Sequence, residues 1–269
     1  MRSVWVNYVT FLRDLQWLDY SLQSFHKYAT GFDGVIIVVP QDQTAHFMYM
    51  EKKFGTPNCP VWIRGFMEYP GKGFVHHLAM KCYADVINPE ATHILHMDPD
   101  CLFCSQVTPD DYFVDGKPVL VIEPYDVVSR YHPRRADWKG VTEFALPFVC
   151  QYEAMCRHPA IHIPETYRGM RHMVELKHRT PFMDFVIKQK NSFPQGFGEF
   201  NTLGSYAHFD LHDSYHFVDC GPERLKHVEM LKQDAEIPIG HPKPKLCQMW
   251  SYVGVDNPAN KQRIKQILA

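Results

Sequence analysis

The 269-residue sequence has no run of about eighteen apolar residues, the length a helix needs to cross a bilayer. It also lacks a charge excess of either sign: 28 Lys and Arg against 30 Asp and Glu leave a net charge of −2, which excludes the global footprint of a strong nucleic-acid binder. No Walker pattern is present. Gly71-Lys72-Gly73 comes nearest to one, which removes a P-loop kinase or ATPase from consideration. Internal repeats and low-complexity tracts are absent too. Of eight cysteines, Cys101 and Cys104 make the single C-x-x-C spacing, and without a second pair neither a zinc ribbon nor a disulfide framework follows, so reduced and mostly buried thiols are expected. The first nine residues are apolar for too short a stretch to be a secretory signal and alternate like a strand, which predicts a cytoplasmic protein.

What is present suits a folded enzyme-sized body, since 45% hydrophobic and 22% charged residues are enough to bury a full core. The first half alternates strand and helix signals, the pattern of parallel βαβ units in an α/β fold. Residues 3–9 read as a strand, and 13–28 as an amphipathic crossover helix with Leu15, Leu18, Leu22 and Phe25 at helical spacing. Residues 34–40 (Gly-Val-Ile-Ile-Val-Val-Pro) form a β-branched run stopped by proline, as expected of a strand covered on both faces. A helix over 43–54, a strand over 61–66, a helix over 74–86 and a strand over 92–97 follow. A further strand is expected over 118–123.

Residues 125–200 are crowded with proline, histidine and aromatics without a sustained period, and predict loops and short helices. Helices are expected over 181–188, 199–208 and 257–268, and a short strand over 216–218. The division is therefore a regular βα half, 1–125, and a less regular half of the same compact domain, 126–269. Two basic runs, Arg130/His132/Arg134/Arg135 and Arg168/Arg171/His172/Lys177/His178/Arg179, read either as solvated loops or as patches that track a few phosphates.

The chemistry concentrates after the fourth strand, which runs into Asp98-Pro99-Asp100. Two carboxylates one residue apart at the carboxyl end of a parallel strand stand where open α/β sheets bind ligands, and their oxygens suit Mg²⁺ or Mn²⁺. A ligand is expected over the ends of the first two strands, near Thr10, Phe11, Arg13 and Pro40, where the Arg13 guanidinium can meet an anion and Tyr8 or Phe11 offers an aromatic face. His77 and Lys81, one helical turn apart, are candidates to face the same ligand.

Residues 93–103, His-Ile-Leu-His-Met-Asp-Pro-Asp-Cys-Leu-Phe, resemble the strand–DxD–hydrophobic segment of the GT-A glycosyltransferases, whose fold is a Rossmann-like, mostly parallel sheet flanked by helices. Residues 196–206, Gly-Phe-Gly-Glu-Phe-Asn-Thr-Leu-Gly-Ser-Tyr, are similar to the SEYxxYG segment of bacterial DxD glycosyltransferase-like domains, with Gly198 in place of Ser and Phe200 in place of the first Tyr. The resemblance implies a transferase that moves sugar from a nucleoside-diphosphate sugar, UDP-sugar first among them, to a hydroxyl of a glycan or, ranked second, of a hydroxylated DNA base. It implies a nucleotide-sugar-binding βα half, 1–125, and an acceptor-binding and catalytic half, 126–269. The nucleotide then lies over the ends of the first two strands, with its base on Tyr8 or Phe11 and phosphate on Arg13, and the donor sugar faces His77 and Lys81. Asp98, Asp100 and His241 become metal ligands, Lys243 or Lys245 meets the diphosphate, and Glu199 is the general base. Two alternatives stay open: a Mg²⁺-dependent phosphoesterase or nucleotidyltransferase, and a nucleotide-sugar-binding module without turnover.

Overall fold

A computed structural model describes residues 2–67, 73–131, 133–155, 160–190, 196–219, 246–249 and 254–269, with the backbone alone at 131 and 134. The chain opens with β1 (Val4–Val9), α1 (Leu15–Tyr28) and β2 (Gly34–Pro40), followed by α2 (Thr44–Phe47), α3 (Tyr49–Phe54) and β3 (Val61–Phe66). Next come α4 (Gly73–Lys81), α5 (Ala84–Ile87), β4 (His93–His96), β5 (Cys101–Phe103), β6 (Phe113–Val114) and β7 (Lys117–Pro124). The second half holds α6 (Tyr125–Tyr131), α7 (Pro133–Ala145), β8 (Tyr152–Glu153), β9 (Ala160–His162), α8 (Pro164–His178), α9 (Phe182–Ile187), α10 (Glu199–Asp210), β10 (His216–Asp219), β11 (Leu246–Gln248) and α11 (Pro258–Leu268).

The central sheet runs β3-β2-β1-β4-β9. Its first four strands are parallel, and β9, from the second half of the chain, pairs antiparallel with β4. Every residue of β1 and β2 is buried because the sheet is covered on both sides. Trp5, Val9, Ile36 and Val38 enter one apolar cluster with residues of α4, α8, α9 and α10, whereas Val4, Val6, Tyr8, Val35, Ile37 and Val39 enter another with α1. The period-two alternation thus divides each strand between two cores. No helix among the described residues is long and apolar enough to cross a membrane.

The strand at 118–123 does not extend this sheet. β7 lies in a second sheet of order β10-β7-β6, with β8 also on β7, and its partner β10 is parallel to it. The expectation of loops and short helices over 125–200 is corrected by α7 and α8, of 13 and 15 residues. Both begin on a proline, which the first helical turn tolerates, and α8 buries Tyr167, Met170 and Val174 at helical spacing. The helices expected over 43–54 and 74–86 are each broken, at Met48 and at Cys82–Tyr83.

Of the two basic runs, Arg130, Arg134, Arg135, Arg168, Arg171, His172, Lys177 and His178 lie on helices rather than loops, Arg179 caps the end of α8, and several members are spent inside the fold. Arg135 reaches Glu123 and Glu153, Arg171 makes a two-pronged pair with Asp85, and the Lys177 ammonium donates to the carbonyls of Glu143, Phe144 and Leu146 at the end of α7. His132 and the Arg134 side chain lie outside the described residues. The cysteines described, Cys59, Cys82, Cys101, Cys104, Cys150 and Cys247, are all free thiols.

Candidate active site

The Asp98-Pro99-Asp100 turn is built by main-chain hydrogen bonds. Cys101 N donates to Asp98 O at 3.0 Å, which closes the turn, and Met249 N donates to Asp100 O at 2.9 Å from the chain after β11. From the other side α1 grips β5: Ser21 Oγ donates to Cys101 O, and Phe103 N donates to Ser24 Oγ. The two carboxylates therefore leave a turn held at both ends, at the carboxyl edge of the parallel strands.

Lys81, the last residue of α4, projects into this edge with 3% of its surface exposed. Its Nζ donates to Asp98 Oδ1 and to Glu199 Oε1, both at 2.9 Å. Asp98 is half-buried and Glu199 almost fully enclosed. Burial pulls the Lys81 ammonium toward neutrality, but Asp98 and then Glu199 more than offset this and hold its pKa above the ordinary lysine value. The three residues, 17 and 118 positions apart from Lys81 in sequence, form one charged cluster; Lys81, expected beside the donor sugar, has its charge on the two carboxylates. Glu199 Oε2 has no hydrogen-bond partner among the described residues.

Glu199 opens α10, and the residues around it account for the two departures from the SEYxxYG pattern. A Cβ on Gly198 would stand 2.7 Å from the Trp138 ring of α7, so no side chain fits where the pattern has Ser. Phe200, in place of Tyr, is buried with its ring 4.5 Å from Lys81 Nζ and 5.3 Å from the His96 ring. Behind it the Asn7 amide donates to His96 Nδ1, which leaves Nε2–H to donate to the Tyr167 hydroxyl at 2.9 Å.

The expected nucleotide side is assembled at the ends of β1 and β2. The His77 Nε2–H donates to Val9 O at 2.7 Å, and burial, reinforced by the Lys81 charge, lowers its pKa to about 4. Its ring lies against Phe11, over which the exposed Arg13 guanidinium sits. Thr10 and Pro40 are buried beside them, and the Thr10 hydroxyl has no partner among the described residues. Tyr8 is corrected: it is fully buried, with its hydroxyl on Ser21 Oγ, and no base can pack on it.

Asp14, at the N-cap of α1, was not anticipated. Burial raises its pKa against the lowering pull of Arg13, and the charge of Asp98 adds to the rise, which places a third carboxyl within electrostatic reach of the D-x-D turn. Its signal in the sequence was an acid opening the crossover helix that follows the first strand. His241, Lys243 and Lys245 lie outside the described residues, as do Gly71 and Lys72. Among the described residues no group of three or more His, Cys, Asp or Glu stands together as a metal cage. The donors that Asp98 and Asp100 offer are hard carboxylate oxygens, which fit Mg²⁺ or Mn²⁺ rather than a soft metal.

No family model and no curated protein sequence matches this chain. Solved structures do. The glycosyltransferase GlyE of Streptococcus pneumoniae TIGR4 superposes over 100% of this chain with a TM-score of 0.55 at 10% sequence identity, and its apo form with a TM-score of 0.51 at 10% identity. The chain spans 60% of the length of those structures. Its mixed α/β architecture, a mostly parallel central sheet flanked by helices, is thus a glycosyltransferase fold.

Proposed function

We propose that this chain transfers a sugar from a nucleoside-diphosphate sugar to a hydroxyl acceptor, with a divalent cation at Asp98 and Asp100. The observation that carries the reading is the meeting of Asp98, Lys81 and Glu199 at the ligand-binding edge of a glycosyltransferase fold. A sheet of this kind binds at the carboxyl ends of its strands, and there the chain gathers two carboxylates, a buried acid and a fixed ammonium.

Asp98 and Asp100 would hold the Mn²⁺ or Mg²⁺, with His241 as the further ligand. The ion, when bound, offsets the charge of a departing nucleoside diphosphate. Phe11 offers a ring to the base, Arg13 a guanidinium to phosphate, and Lys243 a second cation to the diphosphate, with Thr10 and Pro40 shaping the wall. Glu199 receives the proton of the acceptor hydroxyl as its oxygen bonds to the anomeric carbon and the bond from that carbon to the diphosphate breaks. Lys81 keeps the Glu199 carboxylate in place and screens it from Asp98. A glycan is the first choice of acceptor, since the near-neutral net charge does not favour DNA.

The test is a thermal-shift series with UDP-, GDP-, CDP- and dTDP-sugars, with and without Mn²⁺, on the wild type and on Asp100→Ala. One donor is expected to raise Tm in a Mn²⁺-dependent manner, because ligand at a hundredfold over Kd stabilises by about 2.7 kcal/mol. Asp100→Ala should abolish that rise. Absence of a shift with every donor would overturn the reading.

A further inference from the structure

A cavity of 330 Å³ lies along α10 on the side away from Glu199, between that helix, β8 and the segment before β8. Helical spacing turns Gly204 and His208 roughly opposite to Glu199, and at about 1.5 Å per residue Ser205 and Phe209 lie about 9–15 Å down the axis from it. The cavity is therefore separate from the charged cluster.

Its lining joins aromatic rings to uncharged polar groups. Phe209 is 58% exposed and stacked on Phe148, with ring centroids 4.0 Å apart and planes 11° from parallel, so one broad aromatic face turns outward. The His208 ring lies 4.7 Å from the Tyr152 ring. Burial, and then the neighbouring His212, lower the His208 pKa and keep the ring neutral at neutral pH. Gln151 adds an amide, and none of the residues lining the cavity is a Lys, Arg, Asp or Glu.

A phosphate-bearing ligand finds no countercharge here, and a purely apolar one would strand the polar groups of Gln151, Tyr152 and His208. A pyranose ring satisfies both demands: its C–H face packs on an aromatic plane while its hydroxyls exchange hydrogen bonds with neutral donors and acceptors around the rim. We propose that this cavity is a second carbohydrate site, which holds a neutral stretch of the acceptor glycan at a distance from the reacting end. The proposal rests on the glycosyltransferase reading for the identity of its ligand as acceptor, while the sugar chemistry rests on the lining alone.

The exposed position of Phe209 allows a reporter, Phe209→Trp, whose fluorescence is titrated with maltohexaose, cellohexaose, laminarihexaose and chitohexaose. A saturable change with at least one of them is expected in the millimolar range, and His208→Ala in the same background should weaken it roughly tenfold, about the value of one lost contact of 1.4 kcal/mol. Phe209→Ala should leave any metal-dependent nucleotide-sugar shift intact, because that residue stands away from the charged cluster. A donor shift without any response to the four oligosaccharides overturns the second site and leaves the transferase reading standing. A response to oligosaccharide without any donor shift supports the site and overturns the transferase reading. A response that His208→Ala leaves unchanged also overturns the assignment.

Discussion

Lys81 bears the largest electrostatic demand of any side chain at the site, since two carboxylates share its three protons inside the fold. Removing one partner of a buried ion pair leaves the other uncompensated, at a cost of about 3–5 kcal/mol. Lys81→Met is therefore expected to lose about that much in urea or guanidinium unfolding, and Lys81→Met with Glu199→Gln should recover part of it. Glu199→Gln alone keeps the shape of the pocket but cannot accept a proton. Transfer should fall by about 10²–10⁴-fold, the usual contribution of a general base, while the nucleotide-sugar thermal shift persists. Loss of both together would make Glu199 a binding residue, and loss of neither would remove it from the site.

At the scale of elements, α10 matters most, because it carries Glu199 at its first turn and packs on α7 and α8 at once. Its approach to α7 is set at Gly198, against which the Trp138 ring lies flush. Gly198→Ser would restore the residue of the SEYxxYG pattern, yet it forces a Cβ and a hydroxyl into that ring. Overpacking of this kind costs about 1–3 kcal/mol, so the variant should unfold at lower denaturant. Trp138→Leu in the same chain should reduce the penalty of the serine, a non-additivity measurable in a double-mutant cycle. The pair also shows what occupies the space that a serine hydroxyl would need here: the aromatic ring on α7.

Stability of the whole molecule should fall toward acid through buried neutral histidines. His162 is almost fully buried on β9, neither ring nitrogen has a partner among the described residues, and burial lowers its pKa to about 3; that of His77 falls to about 4. An unfolded histidine titrates near 6.5, so below that pH the unfolded chain binds protons the folded chain refuses. Their contribution is fully present above about pH 6.5 and is lost as pH falls toward the folded values. Each should remove about 3 kcal/mol by pH 4, since every tenfold difference in proton affinity between the folded and unfolded chain is worth about 1.36 kcal/mol. His162→Phe, close in volume, should flatten this acid limb in unfolding curves taken from pH 7 to pH 4; an unchanged slope would mean that His162 is protonated in the folded state.

The sequence by itself determined the parallel first half. The strands at 34–40 and 61–66 appear with those bounds, because a β-branched run ended by proline, or set between turn residues, has few other ways to bury itself. It also placed Asp98 and Asp100 at a strand end, since that requires only local pattern. Tertiary structure alone decided the rest. That β9 would enter the central sheet antiparallel, and β7 leave it, depends on pairings made far along the chain, which carry no local period. The helices α7 and α8 were obscured because prolines stand at their starts and charged and aromatic residues are mixed along them, and their stability comes from packing on α10 and α9 rather than from propensity. Tyr8 looked available for a base because a strand's alternation does not say whether its second face meets solvent or another layer. The joining of Lys81 to both Asp98 and Glu199 is a matter of three-dimensional position, because it brings together side chains 17 and 118 residues apart that no local pattern connects.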